Sequence, residues 1–192
     1  MRFSATPIEP DGVEEFFRTA PFVAHNRKTY SAPPQQVWDV VASDRMWSWL
    51  PTVWGCRYPV HTPPAAGVVR DFQMYIHHWL VFAQHERLLE FDAPNVMRYT
   101  ATDATLPVFG SWCEEYRVEP GPDDNSAVLD WTLACAPRYL SQIPGNRIVF
   151  RPLSAILTPI LRFGLRGLER ELPSHAPPAL NSGPGLIAVD YV

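Results

Sequence analysis

The stretch from Tyr30 to Tyr58 constrains the fold more than any other part of the chain. It follows a run in which Val23, His25, Arg27 and Thr29 alternate with Ala24, Asn26, Lys28 and Tyr30, the period of a strand. Ser31 is placed to cap a helix, and Pro33-Pro34 pre-set the φ of a first helical turn. Val37, Val40 and Val41 then fall at i, i+3 and i+4 with Trp38 beside them, one apolar face of a short helix. A second short helix is expected from Asp44 to Leu50, stopped by Pro51. Trp47 and Trp49 cannot both face one side of it, so one of them is expected to line a neighbouring space. Strand, two small helices, then a strand over Thr52 to Pro59 is an unusual punctuation.

Further strands follow. Val68 to Glu90 alternates well enough for two, with the turn near His77-His78 although no Gly or Asn marks it. Asp92-Ala93-Pro94-Asn95 is a clearer turn. Val96 to Asp103 and Phe109 to Val118 are the next two strands, and Pro120 to Asn125 reads as an exposed hairpin loop. In Ala127 to Ala136, Leu129, Trp131, Leu133 and Cys135 share a face. A helix is expected from Arg147 to Leu172, with Pro152 near its first turn and a kink at Pro159. Leu153, Ile156, Leu157, Ile160, Gly164 and Leu168 mark its apolar side, and Arg162, Arg166 and Arg170 read as a solvated stripe opposite.

One domain is expected from 192 residues, and 46% hydrophobic with 19% charged residues excludes a disordered chain. A net charge of −4 gives no reason to expect nucleic acid as a partner. Three cysteines, an odd count, argue against a disulfide framework, so a cytoplasmic location is the default. The N-terminus lacks a cationic start followed by an apolar run, so no signal peptide is expected. No apolar stretch reaches membrane-spanning length, so no integral membrane association is expected either. Ser174 to Gly185 is a Pro/Gly/Ser linker, and the apolar Leu186 to Val192 is expected to dock on a sheet edge or groove, a tail-exchanged homodimer being one arrangement and a loose chain end the competing reading.

The stretch from Tyr30 to Tyr58 resembles the start of the START/Bet v 1-like (SRPBCC) superfamily, especially its polyketide cyclase/dehydratase-like subgroup. The residues that carry the likeness are Ala32, Pro33, Val37, Trp38, Val41, Asp44, Trp49, Pro51 and Val53. Gly67 with Arg70, Asp92-Ala93-Pro94 and the helix Arg147 to Leu172 stand where later landmarks of the superfamily fall. The resemblance implies an α+β helix-grip fold. A curved antiparallel sheet of about seven strands would wrap a long C-terminal helix around an apolar cavity, with two short helices after the first strand. It divides the chain into an extension (1–21), a ligand-binding domain (22–172) and a Pro-rich tail (173–192) whose apolar end departs from the pattern. Neither ligand nor reaction follows from it.

The concave face of such a sheet sees the cavity, and alternation decides which residues those are. Glu114 shares its phase with Trp112, Tyr116 and Val118, and Arg70 with Val68, Phe72, Met74 and Ile76. A carboxylate and a guanidinium on apolar faces are costly unless paired, so Glu114 is expected to be buried against Arg70 first and Arg98 second, anchoring a ligand's polar group. The competing readings are strands of opposite phase, or an ion pair that is only structural. The candidate catalytic set is Glu114, Arg70, Tyr116 and His85, with Glu114 needing a pKa raised by burial to act as acid or base. Trp49, Trp54, Phe72, Met74, Arg98, Trp112, Trp131 and Leu157 are candidate ligand contacts.

His77 and His78 point to opposite faces if both lie in a strand, and no carboxylate or cysteine stands at ligand spacing around them or His85, so no metal is expected. No phosphate-cradling glycine loop is present and no cofactor is expected. Cys113 and Cys135 fall on opposite phases and are not expected to bridge. Three functions fit: a carrier or sensor of a hydrophobic small molecule, a polyketide cyclase- or dehydratase-like enzyme, or a partner-binding module. Convergent polar groups in a cavity would favour the enzyme, a smooth apolar cavity the carrier, and a filled core the module.

Overall fold

The computed structural model describes residues 1–139, 150, 155, 158–159 and 161–173. Leu157, most of the helix before residue 161 and the tail 174–192 lie outside the described residues. The strands are β1 (Phe3–Ser4), β2 (Phe22–Tyr30), β3 (Val53–Arg57), β4 (Val69–Ile76), β5 (Trp79–Asp92), β6 (Val96–Ala104), β7 (Phe109–Pro120) and β8 (Ala127–Pro137). Helices are α1 (Val13–Thr19), α2 (Pro34–Val41) and α3 (Leu168–Glu171), the last preceded by helical residues 161–165.

The strands pair antiparallel in the order β2-β8-β7-β6-β5-β4-β3, with the short β1 added beside β6. The first long strand, β2, and its successor β3 therefore lie at opposite edges, and the segment between them carries the chain across the sheet. That segment begins with α2, which buries Val37, Trp38, Val40 and Val41 and packs over β7 and β8. The helix starts at Pro34 with Pro33 in the cap position, and no side chain caps it, so Ser31 does not play the expected part.

Where a second short helix is expected, residues 44–52 run as successive turns instead. Backbone i→i+3 bonds such as Ser48 N–H to the Arg45 carbonyl (2.8 Å) hold them. Trp47 stands at φ +68°, which no right-handed helix accommodates. The segment then closes on β3 at Gly55, which has φ +98° and whose missing Cβ would lie 2.1 Å from the Asp44 carbonyl oxygen. Only glycine allows that approach.

Register shifts at Val53/Gly55, Met74/Tyr75, His85/Glu86, Leu88/Glu90 and Phe109/Ser111 bend the sheet so that one face is concave. The β4–β5 turn falls at His77-His78, with His77 taking φ +52° where glycine is usual. The N-terminal residues lie on the convex side. Their β1 pairs with β6, the Ile8 N–H donates to Thr100 Oγ1 (2.9 Å), and Val13 is fully buried.

The C-terminal helical residues are held against the concave side. Tyr30 donates to the Leu165 carbonyl (2.8 Å), Lys28 pairs with Glu169 (2.9 Å), and Leu165 and Leu168 are fully buried. Burying each leucine is worth about 1.5–3 kcal/mol. Gly164 and Gly167 let two indoles lie against the helix backbone: an added Cβ would sit 3.0 Å from the Trp47 ring and 2.0 Å from the Trp49 ring. Arg162, Arg166 and Arg170 are exposed, a solvated stripe as expected. Among the described residues no helix is long and apolar enough to cross a membrane.

Candidate functional site

A cavity of about 510 Å³ lies between the concave face and residues 161–164. Among the described residues its walls are apolar almost throughout. Strand alternation supplies Phe72 and Met74 from β4, Phe82 from β5, Phe109 and Trp112 from β7, and Trp131 and Leu133 from β8. Leu161 and Phe163 close it from the helix, and Trp47 and Leu50 from the turns. Val108 and Phe163 line the space while remaining more than half exposed, which marks the mouth.

Three side chains with carboxyl or amide heads reach the wall, Gln84, Glu86 and Glu114, with the Tyr99 phenol beside them. Glu86 is held by the Arg70 guanidinium, whose Nε–H donates to Oε2 at 2.7 Å, and by Gln84, whose amide donates to Oε1 at 2.6 Å. Arg70 also donates to the Tyr58 hydroxyl (2.9 Å) and lies over the Tyr99 ring, 4.7 Å from its centroid. Glu114 is held by neutral donors only. Trp112 Nε1–H donates to Oε1 (2.8 Å), while Trp131 Nε1–H (2.7 Å) and the Tyr116 hydroxyl (2.6 Å) both donate to Oε2. Trp47 Nε1–H in turn donates to the Tyr116 hydroxyl (3.1 Å). Burial pushes the Glu114 carboxyl above its ordinary range and the nearby Glu86 charge pushes the same way, against the bonds from Tyr116 and Trp131 and the nearby Tyr99 hydroxyl.

This geometry corrects several expectations. Glu114 is buried, yet it pairs with neither arginine. Arg70 is three strands away, about 14 Å across a sheet, whereas Glu86 stands directly opposite it on the adjacent strand. Arg98 projects from the convex side, bonded to Glu115 opposite it on β7 and to Glu14 of α1. His85 is also outside the cavity, its ring nitrogens 2.9 and 2.8 Å from the Asp71 and Asp103 carboxylates. Trp54 is 56% exposed beneath Arg57, because the bulge at Gly55 turns Val53 inward and Trp54 out.

Trp49 packs against the helix and donates to the Gly164 carbonyl (2.9 Å); Trp47 is the tryptophan of that pair that lines the cavity. Phe72, Met74, Trp112 and Trp131 stand in the wall, Tyr116 is buried behind it, and Leu157 is outside the described residues. Sequence reasoning missed Glu86, Gln84 and Tyr99. A signal existed for Glu86: a hairpin turning at His77-His78 brings Arg70 opposite His85 or, with a one-residue bulge, opposite Glu86. All three cysteines are free and buried, and burial pushes the Cys113 and Cys135 thiols up to about 12, which leaves them inert.

A curved antiparallel sheet gripping a C-terminal helix over an apolar cavity defines the helix-grip class of ligand-binding folds. The profile of the family described as "Polyketide cyclase / dehydrase and lipid transport" matches residues 22–173, and the chain belongs to that family. Uncharacterized proteins of Mycobacterium tuberculosis and Mycobacterium bovis are 26% identical over 165 residues, 85% of this chain and 92% of theirs. The Zhui aromatase/cyclase of Streptomyces sp. R1128 superposes with a TM-score of 0.57 at 17% identity, over 78% of this chain and 92% of that one. A START superfamily protein of Mycobacterium smegmatis gives a TM-score of 0.57 at 13% identity, over 78% and 96%. These two likenesses establish the fold alone.

Proposed function

We propose that the protein binds a hydrophobic small molecule, lipid-like or aromatic, in this cavity, as a cytoplasmic carrier or sensor. The observation that carries the reading is the cavity itself: about 510 Å³, walled by aromatic and aliphatic side chains, within the size range of ligand sites. Three free, buried thiols support the reducing compartment.

A second reading is a polyketide cyclase/aromatase- or dehydratase-like enzyme, and one observation favours it. Glu86 and Glu114 converge on the same apolar space, and burial shifts Glu114 towards the range of a general acid or base. In that reading Glu114 exchanges a proton with the ligand, Tyr116 positions Glu114, Arg70 holds Glu86 in place, and His85 takes no part. Native mass spectrometry of protein purified from its own host tests both. A co-purifying apolar molecule of constant mass is the carrier result. Loss of water from that molecule on incubation, abolished in Glu114→Gln, is the enzyme result, and an empty cavity under every condition rejects both.

A further inference from the structure

We propose that the ligand meets Glu114 with a hydrogen-bond donor, a hydroxyl or an ammonium group, and carries no carboxylate or phosphate at that end. The inference rests on the hydrophobic-binding reading and narrows its ligand class. It starts from the direction of the bonds. An indole Nε1–H can only donate, so Trp112 and Trp131 treat Glu114 as an acceptor. Tyr116 already receives the Trp47 Nε1–H, so its own proton is directed at Glu114. Every protein bond at this carboxyl therefore runs into it, which is the pattern that suits its ionised form.

No cation answers that charge among the described residues. Arg70 bonds Glu86 and Tyr58 and stands outside the wall, its Nη2 buried without a partner, Arg98 lies on the convex side with Glu14 and Glu115, and none of the described lining residues is a lysine or arginine. Glu86 adds a second carboxylate, each of whose oxygens accepts one bond and whose charge Arg70 answers. Glu114 Oε1 likewise accepts one bond, where Oε2 accepts two, so it keeps acceptor capacity beside a charge that no cation among the described residues answers. An acidic ligand would meet two carboxylates and, among the described lining residues, no cation. A hydroxyl finds an acceptor, and an ammonium finds the same acceptor with its charge unanswered, among the aromatic side chains of Trp47, Trp112 and Trp131.

The test compares dodecanol, dodecylamine and dodecanoic acid, three chains alike except at the head, by calorimetry or dye displacement on the full-length protein at about pH 8, where the free amine is protonated and the free acid ionised. The alcohol, the amine or both are expected to bind at least about tenfold more tightly than the acid, the scale of a hydrogen bond to a charged group. Tighter amine than alcohol identifies a cationic head, and parity identifies a neutral donor. Glu114→Gln is expected to abolish the preference and Trp54→Ala, on the outer surface, to leave it. The ranking on the unaltered protein decides even if the variant folds poorly. Equal binding of all three, or tighter binding of the acid, overturns this inference while sparing the hydrophobic-binding reading. Binding of none overturns that reading itself.

Discussion

Two buried carboxylates face the same cavity and are satisfied in opposite ways. Glu86 is matched by a fully buried guanidinium one strand away, so its charge is neutralised within the protein. Glu114 is surrounded by three neutral donors, with its charge left for a proton or a ligand to answer. Burial alone makes neither residue functional. What separates them is whether the fold supplies the counter-charge, and on that ground Glu86 with Arg70 reads as architecture and Glu114 as the working group.

The largest effect expected from breaking this contrast is at the paired site. Arg70→Ala strands Glu86 in an apolar wall and should lower unfolding stability by about 3–5 kcal/mol in urea titration. The double change Arg70→Met with Glu86→Leu should lose much less, since it removes both charges together. Glu114→Leu is the next step down. It orphans the Tyr116 hydroxyl and two indole N–H groups and should cost about 2–3 kcal/mol, less than Arg70→Ala because no charge is left behind.

Smaller again is a pH effect expected at Glu114. Its folded pKa lies above its unfolded value, so between the two the folded chain holds more protons and stability falls as pH rises. Wild-type protein should therefore lose stability relative to Glu114→Gln as pH climbs out of the ordinary carboxylate range, levelling once the folded carboxyl has ionised. A difference that stays flat with pH would make Glu114 an ordinary structural group. Least of all, His85→Gln on the convex side should change thermal stability by about 0.5 kcal/mol and ligand binding not at all, since half-exposed ion pairs contribute little.

The strands and most of their limits were legible because alternation and turn chemistry are local. Even the His77-His78 turn could be placed by the length of the two flanking runs. The concave positions of Phe72, Met74, Trp112, Glu114 and Trp131 were legible for the same reason. Pairing was not. Alternation says which face a residue takes, and says nothing about which charged neighbour stands across the sheet, so Glu114 was matched to Arg70 by chemistry when distance forbade it. Bulges hid the rest: a single extra residue on β5, Val81, facing the Met74–Tyr75 step moves Glu86 opposite Arg70, and the irregularity at Gly55 sends Trp54 to solvent. Trp47 could not be chosen over Trp49 without knowing that residues 44–52 are turns.

Trp47 touches both the helix and the donor chain, with its ring against Gly164 and its Nε1–H on Tyr116. Width and acidity of the cavity are thereby a single variable. A guest large enough to lift residues 161–164 also releases the indole, and an indole that leaves Tyr116 weakens the support of the Glu114 anion. Bulky guests and slender ones would thus meet the same carboxyl with its donors differently arranged, which ties the polarity of the pocket to the size of what it holds.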